Sequence, residues 1–168
     1  MKSERILFIQ TAFLGDAILA LPSIQKLKES NPDCSIDVLC IPETEEVFNS
    51  SSGVDNAVVI DKKGKHKTLL KTYKFIKQLK KNSYTRIYSS HRSVRTALII
   101  LLLEVRESFG FDNASLLHVY KNLVPYDINK HEVQRNLDLI GYSYDDETWR
   151  ILPEISSDKL SIEKIKLF

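Results

Sequence analysis

Short apolar runs alternate with helical stripes along this chain. Ile6–Ile9 is an unbroken apolar run, the pattern of a strand buried on both faces. Ala17, Leu21, Ile24 and Leu27 follow at helical spacing, and Asn31-Pro32 ends them. Pro22 either kinks this helix or restarts it at a first turn. Residues 36–41 predict a second strand, 43–48 a short helix, 50–53 a loop and 57–60 a third strand. Leu69, Tyr73, Ile76 and Leu79 make the apolar stripe of a helix whose other faces carry lysine. Residues 86–88 predict a fourth strand. Residues 97–103 are apolar all round, which predicts a helix buried on every side. Short strands are expected at 108–111 and 119–123. A last helix carries Val133, Leu137 and Ile140 and closes on Gly141. Strands separated by helices predict an α/β fold, a parallel sheet with helices on both faces. The mixed, polar stretch 142–168 reads as a linker.

The 168 residues suit one domain with a real core. With 43% hydrophobic and 27% charged residues, the chain is neither disordered nor fibrous. No stretch has the roughly 18 apolar residues of a membrane span, and the N-terminus lacks a secretory pattern, so the expected compartment is the cytoplasm. Cys34 and Cys40 bracket a strand that holds them about 20 Å apart, too far for a disulfide. The formal charge of +2 conceals two opposed parts. Residues 62–103 hold nine Lys, three Arg and no acid, so +12, while 12 basic and 22 acidic residues give the rest −10. Such a basic surface suits phosphate or an anionic membrane. No nucleic-acid motif accompanies it, so nucleic acid is not an expected partner.

Ligands of open parallel sheets bind beyond the C-terminal ends of the strands. Two chemically rich loops are expected there: Thr11–Asp16 after the first strand and Ser89–Arg95 after the fourth. A polar cluster, residues 131–136, opens the last helix. Gly15 permits a tight turn or close approach of a ligand. Asp16 stands at a helix start, either as a plain N-cap or facing the crevice as a functional carboxylate. Arg92 and Arg95 lie near a helix start, where the dipole disfavours cations, which favours an anionic ligand beside them. His131 and Arg135 share one helix face, as surface residues or as ligand contacts. Dinucleotide, P-loop and nucleophile-elbow motifs are absent, and the four histidines show no metal-ligand spacing.

The opening residues 5–22, with Thr11, Gly15-Asp16 and Leu21-Pro22, resemble the start of the heptosyltransferases, glycosyltransferase family 9. Four further segments resemble that family in order: residues 53–59, Ser93–Leu98, Phe109-Gly110-Phe111, and His131-Glu132-Val133-Gln134-Arg135-Asn136. The likeness covers roughly residues 5–141. It implies the N-terminal half of a GT-B fold: a Rossmann-like acceptor-binding domain over 1–141, and a linker over 142–168 toward a C-terminal donor-binding domain. By the same resemblance, Asp16 is the general base of an inverting, metal-independent transfer. Thr11, Gly15, His91, Arg92, Arg95, His131 and Arg135 are then the acceptor-binding residues.

The implied activity is transfer of a heptose-type sugar to a lipid-linked or glycan acceptor in lipopolysaccharide core biosynthesis. No cofactor is expected. A nucleotide-sugar, ADP-heptose by the resemblance, is the co-substrate, held mainly by the donor domain, so these residues alone are expected to be inactive. The other implied partners are an anionic glycolipid acceptor and, through the lysines of 62–81, the inner face of the inner membrane. The chain departs from the family in the bulky Phe13-Leu14 and in His91-Arg92, which suggest a different or more anionic acceptor. Two other readings stay open on the residues: a non-catalytic module binding an anion or a membrane surface, and a structural domain with no activity of its own.

Overall fold

The computed structural model describes residues 4–156. Six parallel strands form one sheet: β1 (Arg5–Ile9), β2 (Ser35–Cys40), β3 (Asn56–Val59), β4 (Arg86–Ser89), β5 (Glu107–Phe111) and β6 (Asn122–Val124). Their order is β3-β2-β1-β4-β5-β6, the Rossmann arrangement, which reverses direction between β1 and β4. Among the described residues four helices lie between the strands, α1 (Leu14–Ser30), α2 (Glu45–Asn49), α3 (Leu69–Leu79) and α4 (Val94–Leu103), and α5 (Glu132–Leu139) follows the last strand. The central strand β1 is apolar because both its faces are covered. Ile6 and Phe8 pack beneath α1 on one side, and Leu7 and Ile9 join the α3–α4 side, all fully buried.

Four expectations change. Pro22 restarts nothing; α1 runs through it, with the Ser23 hydroxyl donating to the Ala20 carbonyl at 2.7 Å. The buried stripe of α3 is Thr72, Ile76 and Leu79, while Leu69 and Tyr73 stay in solvent. In α4 only one side is buried, through Thr96, Ala97, Ile99, Ile100 and Leu103. Leu98, Leu101 and Leu102 face outward, because a sheet covers one side of a helix only. The last strand begins at Asn122, not 119. Leu117–Val119 form a turn of 3-10 helix whose Val119 fills the core.

α5 ends as the pattern requires. Gly141 has φ +72°, its N–H donates to Asp138, and the N–H of Tyr142 donates to Leu137, the paired bonds of a Schellman motif. Within the stretch read as a linker, residues 142–156 lie back on the domain. The Tyr144 hydroxyl donates to Asp138 at 2.8 Å, and the Ser156 N–H donates to the Ser50 carbonyl at 2.7 Å. Residues 157–168 of that stretch lie outside the described residues. At the N-terminal edge of the sheet, buried Asp37 accepts from Arg5, Tyr84 and Asn56 and ties three strands together. Removing it would strand three polar partners.

Candidate functional site

The reversal of strand order opens a crevice between the loops that follow β1 and β4. Both loops leave the same sheet edge. A cleft of about 430 Å³ lies there, lined by Gln10, Ala12, Asp16, Ser90, His91, Arg92, Ser93, Tyr126 and Glu132. A larger concavity beside α2 is rimmed by Glu43, Glu45 and Glu46. Its negative rim opposes an anionic ligand, so the smaller cleft is the candidate site.

Asp16 stands in the first turn of α1 but does not cap it. Phe13 is the N-cap and offers no side-chain acceptor. Among the described residues, the Asp16 carboxylate accepts no hydrogen bond. It is half-buried, on the cleft wall, at a helix end that favours negative charge. Gly15 lies within the helix rather than in a tight turn, and a Cβ there would meet nothing within 4 Å. The backbone beside Asp16 is therefore open to a ligand. Thr11 is buried and already engaged: Lys62 Nζ donates to its hydroxyl at 2.7 Å and to its carbonyl at 3.2 Å.

Lys62 is a site residue that sequence reasoning placed among the general lysines. It leaves β3 on a loop built by Asp61, whose carboxylate accepts from the N–H groups of Lys63, Gly64 and Lys65. Burial first, and the Arg95 charge second, push the Lys62 ammonium down to about 8. The same surroundings act on His91. Burial, then the Lys62 and Arg92 charges, push its imidazole down to about 4, with Asp16 partly opposing them. His91 is therefore neutral at neutral pH, with Nδ1 2.8 Å from the Thr96 hydroxyl. Arg92 is exposed, its guanidinium 4.3 Å from the centre of the Tyr126 ring. Arg95 lies in the first turn of α4, outside the cleft lining but close enough to act on Lys62.

The cluster at α5 has a different role. His131 is the N-cap of that helix. Its Nδ1 accepts from Val133 at 3.3 Å, and Gln134 returns the contact to the His131 N–H at 2.8 Å. Arg135 is consumed by the protein: it pairs with Glu132, donates to the carbonyls of Asp127 and Lys130, and stacks on Tyr126. Neither residue lines the cleft. Arg135 instead holds the loop that presents Tyr126 to Arg92. The third residue of that motif, Asn136, is fully buried. Its Oδ1 accepts from Ser90 at 2.7 Å, Ser90 accepts from Gln10 at 3.1 Å, and Gln10 Oε1 accepts from the Ala12 N–H at 3.2 Å. This chain fixes the two cleft loops against α5. Gln10, Ser90 and Glu132 lie inside segments singled out in the sequence but were not read as site residues, and Tyr126 lies in none of them. Their one signal was position, at strand ends and beside the α5 start.

Known proteins bear on this geometry. The sequence profile of glycosyltransferase family 9 (heptosyltransferase) matches residues 72–164, more than half of the chain. That span includes His91, Arg92, Arg95, His131 and Arg135. No curated protein sequence matches the chain. Among solved structures, the chain is similar to a family 9 glycosyl transferase from Veillonella parvula, with TM-score 0.85 and 17% identity over 99% of this chain and 50% of that one. It is similar to the E. coli heptosyltransferase WaaC with ADP-2-deoxy-2-fluoro heptose, with TM-score 0.72 and 17% identity over 84% and 50%. The E. coli ADP-heptose lps heptosyltransferase II gives TM-score 0.72 and 17% identity over 92% and 47%. The chain thus spans about half the length of these structures, and the likeness carries the Rossmann-like half of their fold. With the profile match across most of its length, the chain belongs to glycosyltransferase family 9, the heptosyltransferases.

Proposed function

We propose that these residues form the acceptor-side domain of an inverting glycosyltransferase that passes a heptose-type sugar from a nucleotide-sugar to an anionic glycolipid of the lipopolysaccharide core. The observation that carries this reading is the unengaged Asp16 carboxylate on the wall of a cleft whose other acid, Glu132, is paired with Arg135 and to which Arg92 adds an exposed cation. The structures of WaaC with ADP and with ADP-2-deoxy-2-fluoro heptose support a nucleotide-sugar as co-substrate. ADP-heptose is then held mainly by a second, donor-binding domain, toward which residues 142–168 lead.

In this reading the acceptor hydroxyl sits against Asp16, which takes its proton as the new glycosidic bond forms. The hydroxyl attacks the face of the sugar opposite the departing nucleotide, so the anomeric configuration inverts. A carboxylate is a weak base for an alcohol. It suffices when cleavage of the donor bond leads, because the attacking hydroxyl turns acidic as positive charge builds on the sugar. Arg92 and Lys62 supply cations for a phosphate or carboxylate of the acceptor. Neutral His91 offers a hydrogen bond to a sugar hydroxyl without adding charge. Tyr126, approached by both Arg92 and Arg135, holds the Arg92 guanidinium at the cleft. His131 and Arg135 act on the site through the α5 cap and the Tyr126 loop rather than by contact.

The test is transfer from ADP-heptose to a lipid A–Kdo acceptor by this domain joined to a donor-binding half. Asp16→Asn should lower kcat roughly 10²- to 10⁴-fold, the usual worth of a general base, with KM for the acceptor little changed. Turnover near that of the unaltered protein would exclude Asp16 as the base. The domain alone should bind the acceptor headgroup and transfer nothing.

A further inference from the structure

Helix α4 presents an apolar face to solvent. Val94, Leu98 and Leu101 recur at helical spacing on the side opposite the sheet and are 53%, 39% and 50% exposed. A surface helix ordinarily places polar residues there. In the same helical layer, Leu69, Leu70 and Tyr73 of α3 are 84%, 65% and 52% exposed. With Leu102, seven large apolar side chains are exposed on these two neighbouring helices, and a cluster of that size marks a surface with a partner.

Charge selects the partner. Residues 62–103, which contain both helices, carry twelve cations and no acid. The carboxylates flanking that span are spoken for: Asp61 by three backbone N–H groups, and Glu104 by Lys80 at 2.6 Å. Lys71, Lys74 and Lys77 are exposed on α3 among its leucines. A second copy on this face would set one such cationic layer against another, and that repulsion disfavours self-association. The chain's own last described residues lie elsewhere. Ser156 bonds Ser50, which follows α2 on the other face of the sheet. Leucines interspersed with lysines on a helix surface suit the boundary of an anionic bilayer, where apolar side chains enter below the headgroups and ammonium groups meet phosphate.

We propose that the α3–α4 layer is a membrane-docking face, with Val94, Leu98 and Leu101 inserted into an anionic bilayer and the α3 lysines on its phosphates. Arg92 and Ser93 lead directly into α4, so docking brings the cleft mouth to the lipid surface. This deepens the reading of the acceptor as a membrane glycolipid and rests on it for its purpose, but not for its test.

Flotation of the full chain with vesicles supplies the test. Phosphatidylcholine vesicles containing phosphatidylglycerol should carry the protein, and pure phosphatidylcholine vesicles should carry much less. The double variant Leu98→Ser, Leu101→Ser should stay folded, since neither side chain belongs to the buried core. Its midpoint should fall only modestly, since both side chains are about half exposed and serine is the weaker helix former, and it should partition roughly 10- to 100-fold more weakly, the worth of two further-buried leucines. A Leu98→Trp, Trp149→Phe variant should be quenched by brominated lipid. Unchanged partition of the double variant, or an unquenched indole at position 98, would overturn insertion even if Lys71→Glu, Lys74→Glu abolished binding. A free protein that sediments as a dimer, and as a monomer after Leu98→Ser, Leu101→Ser, would overturn it in favour of a second copy. These vesicles hold no sugar acceptor, so failure here leaves the transfer reading standing, and failure of Asp16→Asn leaves this one standing.

Discussion

Asp16 and His91 occupy one cleft under opposite demands. Asp16 accepts no hydrogen bond from the described protein groups, so it contributes little to holding α1 in place. Asp16→Ala should therefore shift stability by little more than the dipole interaction of a half-buried first-turn acid, about 0.3–1 kcal/mol and at most about 2 kcal/mol. A true N-cap would cost about 1 kcal/mol or more. Urea denaturation of Asp16→Ala and Asp16→Asn measures the difference, and a loss above about 2 kcal/mol in either would assign the residue to the fold. His91 behaves differently because burial and two neighbouring cations oppose its protonation. Its folded value of about 4 lies below the ordinary 6.5. Between those values the unfolded chain takes up a proton that the folded chain refuses, so stability falls as pH drops through that window. His91→Gln should flatten the fall. Denaturation midpoints at pH 7 and pH 5 that decline equally in the two proteins would show that another group is responsible.

At the scale of elements, the Gln10–Ser90–Asn136 chain is what joins β1, β4 and α5 at the cleft. Asn136→Ala leaves the buried Ser90 hydroxyl without its acceptor, and should cost about 1–3 kcal/mol. It should also loosen both cleft loops, seen as faster amide exchange at Ala12 and His91. Faster exchange confined to α5 would show that the chain is not the link. This network was not legible in the sequence, since its members are 80 and 46 residues apart. The strands were legible because burial on both faces writes an unbroken apolar run, as in Ile6–Ile9. The end of α5 was legible because only Gly141 among its neighbours takes a positive φ without strain. Residues 97–103 misled for a physical reason. Seven apolar residues predict burial all round, yet the layer offers cover on one side alone, and Leu98, Leu101 and Leu102 stay exposed. The three-residue strand Asn122–Val124 was expected, but at 119–123; at the sheet edge two of its residues are exposed and one half-buried, so no alternation marked its bounds. Lys62 was hidden among its neighbours because its partner, Thr11, is 51 residues away.

Across the whole molecule, the twelve cations of residues 62–103 stand against a net −10 elsewhere. No helix among the described residues is long and apolar enough to cross a membrane. Two distinct places draw on the charge of residues 62–103: the α3 lysines and Lys62. The α3 lysines are exposed, so salt screens them strongly; Lys62 is half-buried at the cleft, where screening is weaker. Binding of a soluble phosphorylated headgroup, which reaches only the cleft, should therefore weaken modestly as salt rises from low to physiological strength. Vesicle binding should weaken far more over the same range. Lys62→Ala should weaken the headgroup about tenfold, partly by removing the cation and partly by freeing the Thr11 loop. Lys71→Ala, Lys74→Ala should leave the headgroup untouched and reduce vesicle binding by roughly 1 kcal/mol per residue. Calorimetric titration of the headgroup and flotation with vesicles, each at two salt concentrations, separate the two. If Lys71→Ala, Lys74→Ala weakened the soluble headgroup as much as Lys62→Ala, the basic half would act as one diffuse field, and Lys62 would have no specific part in recognising an acceptor.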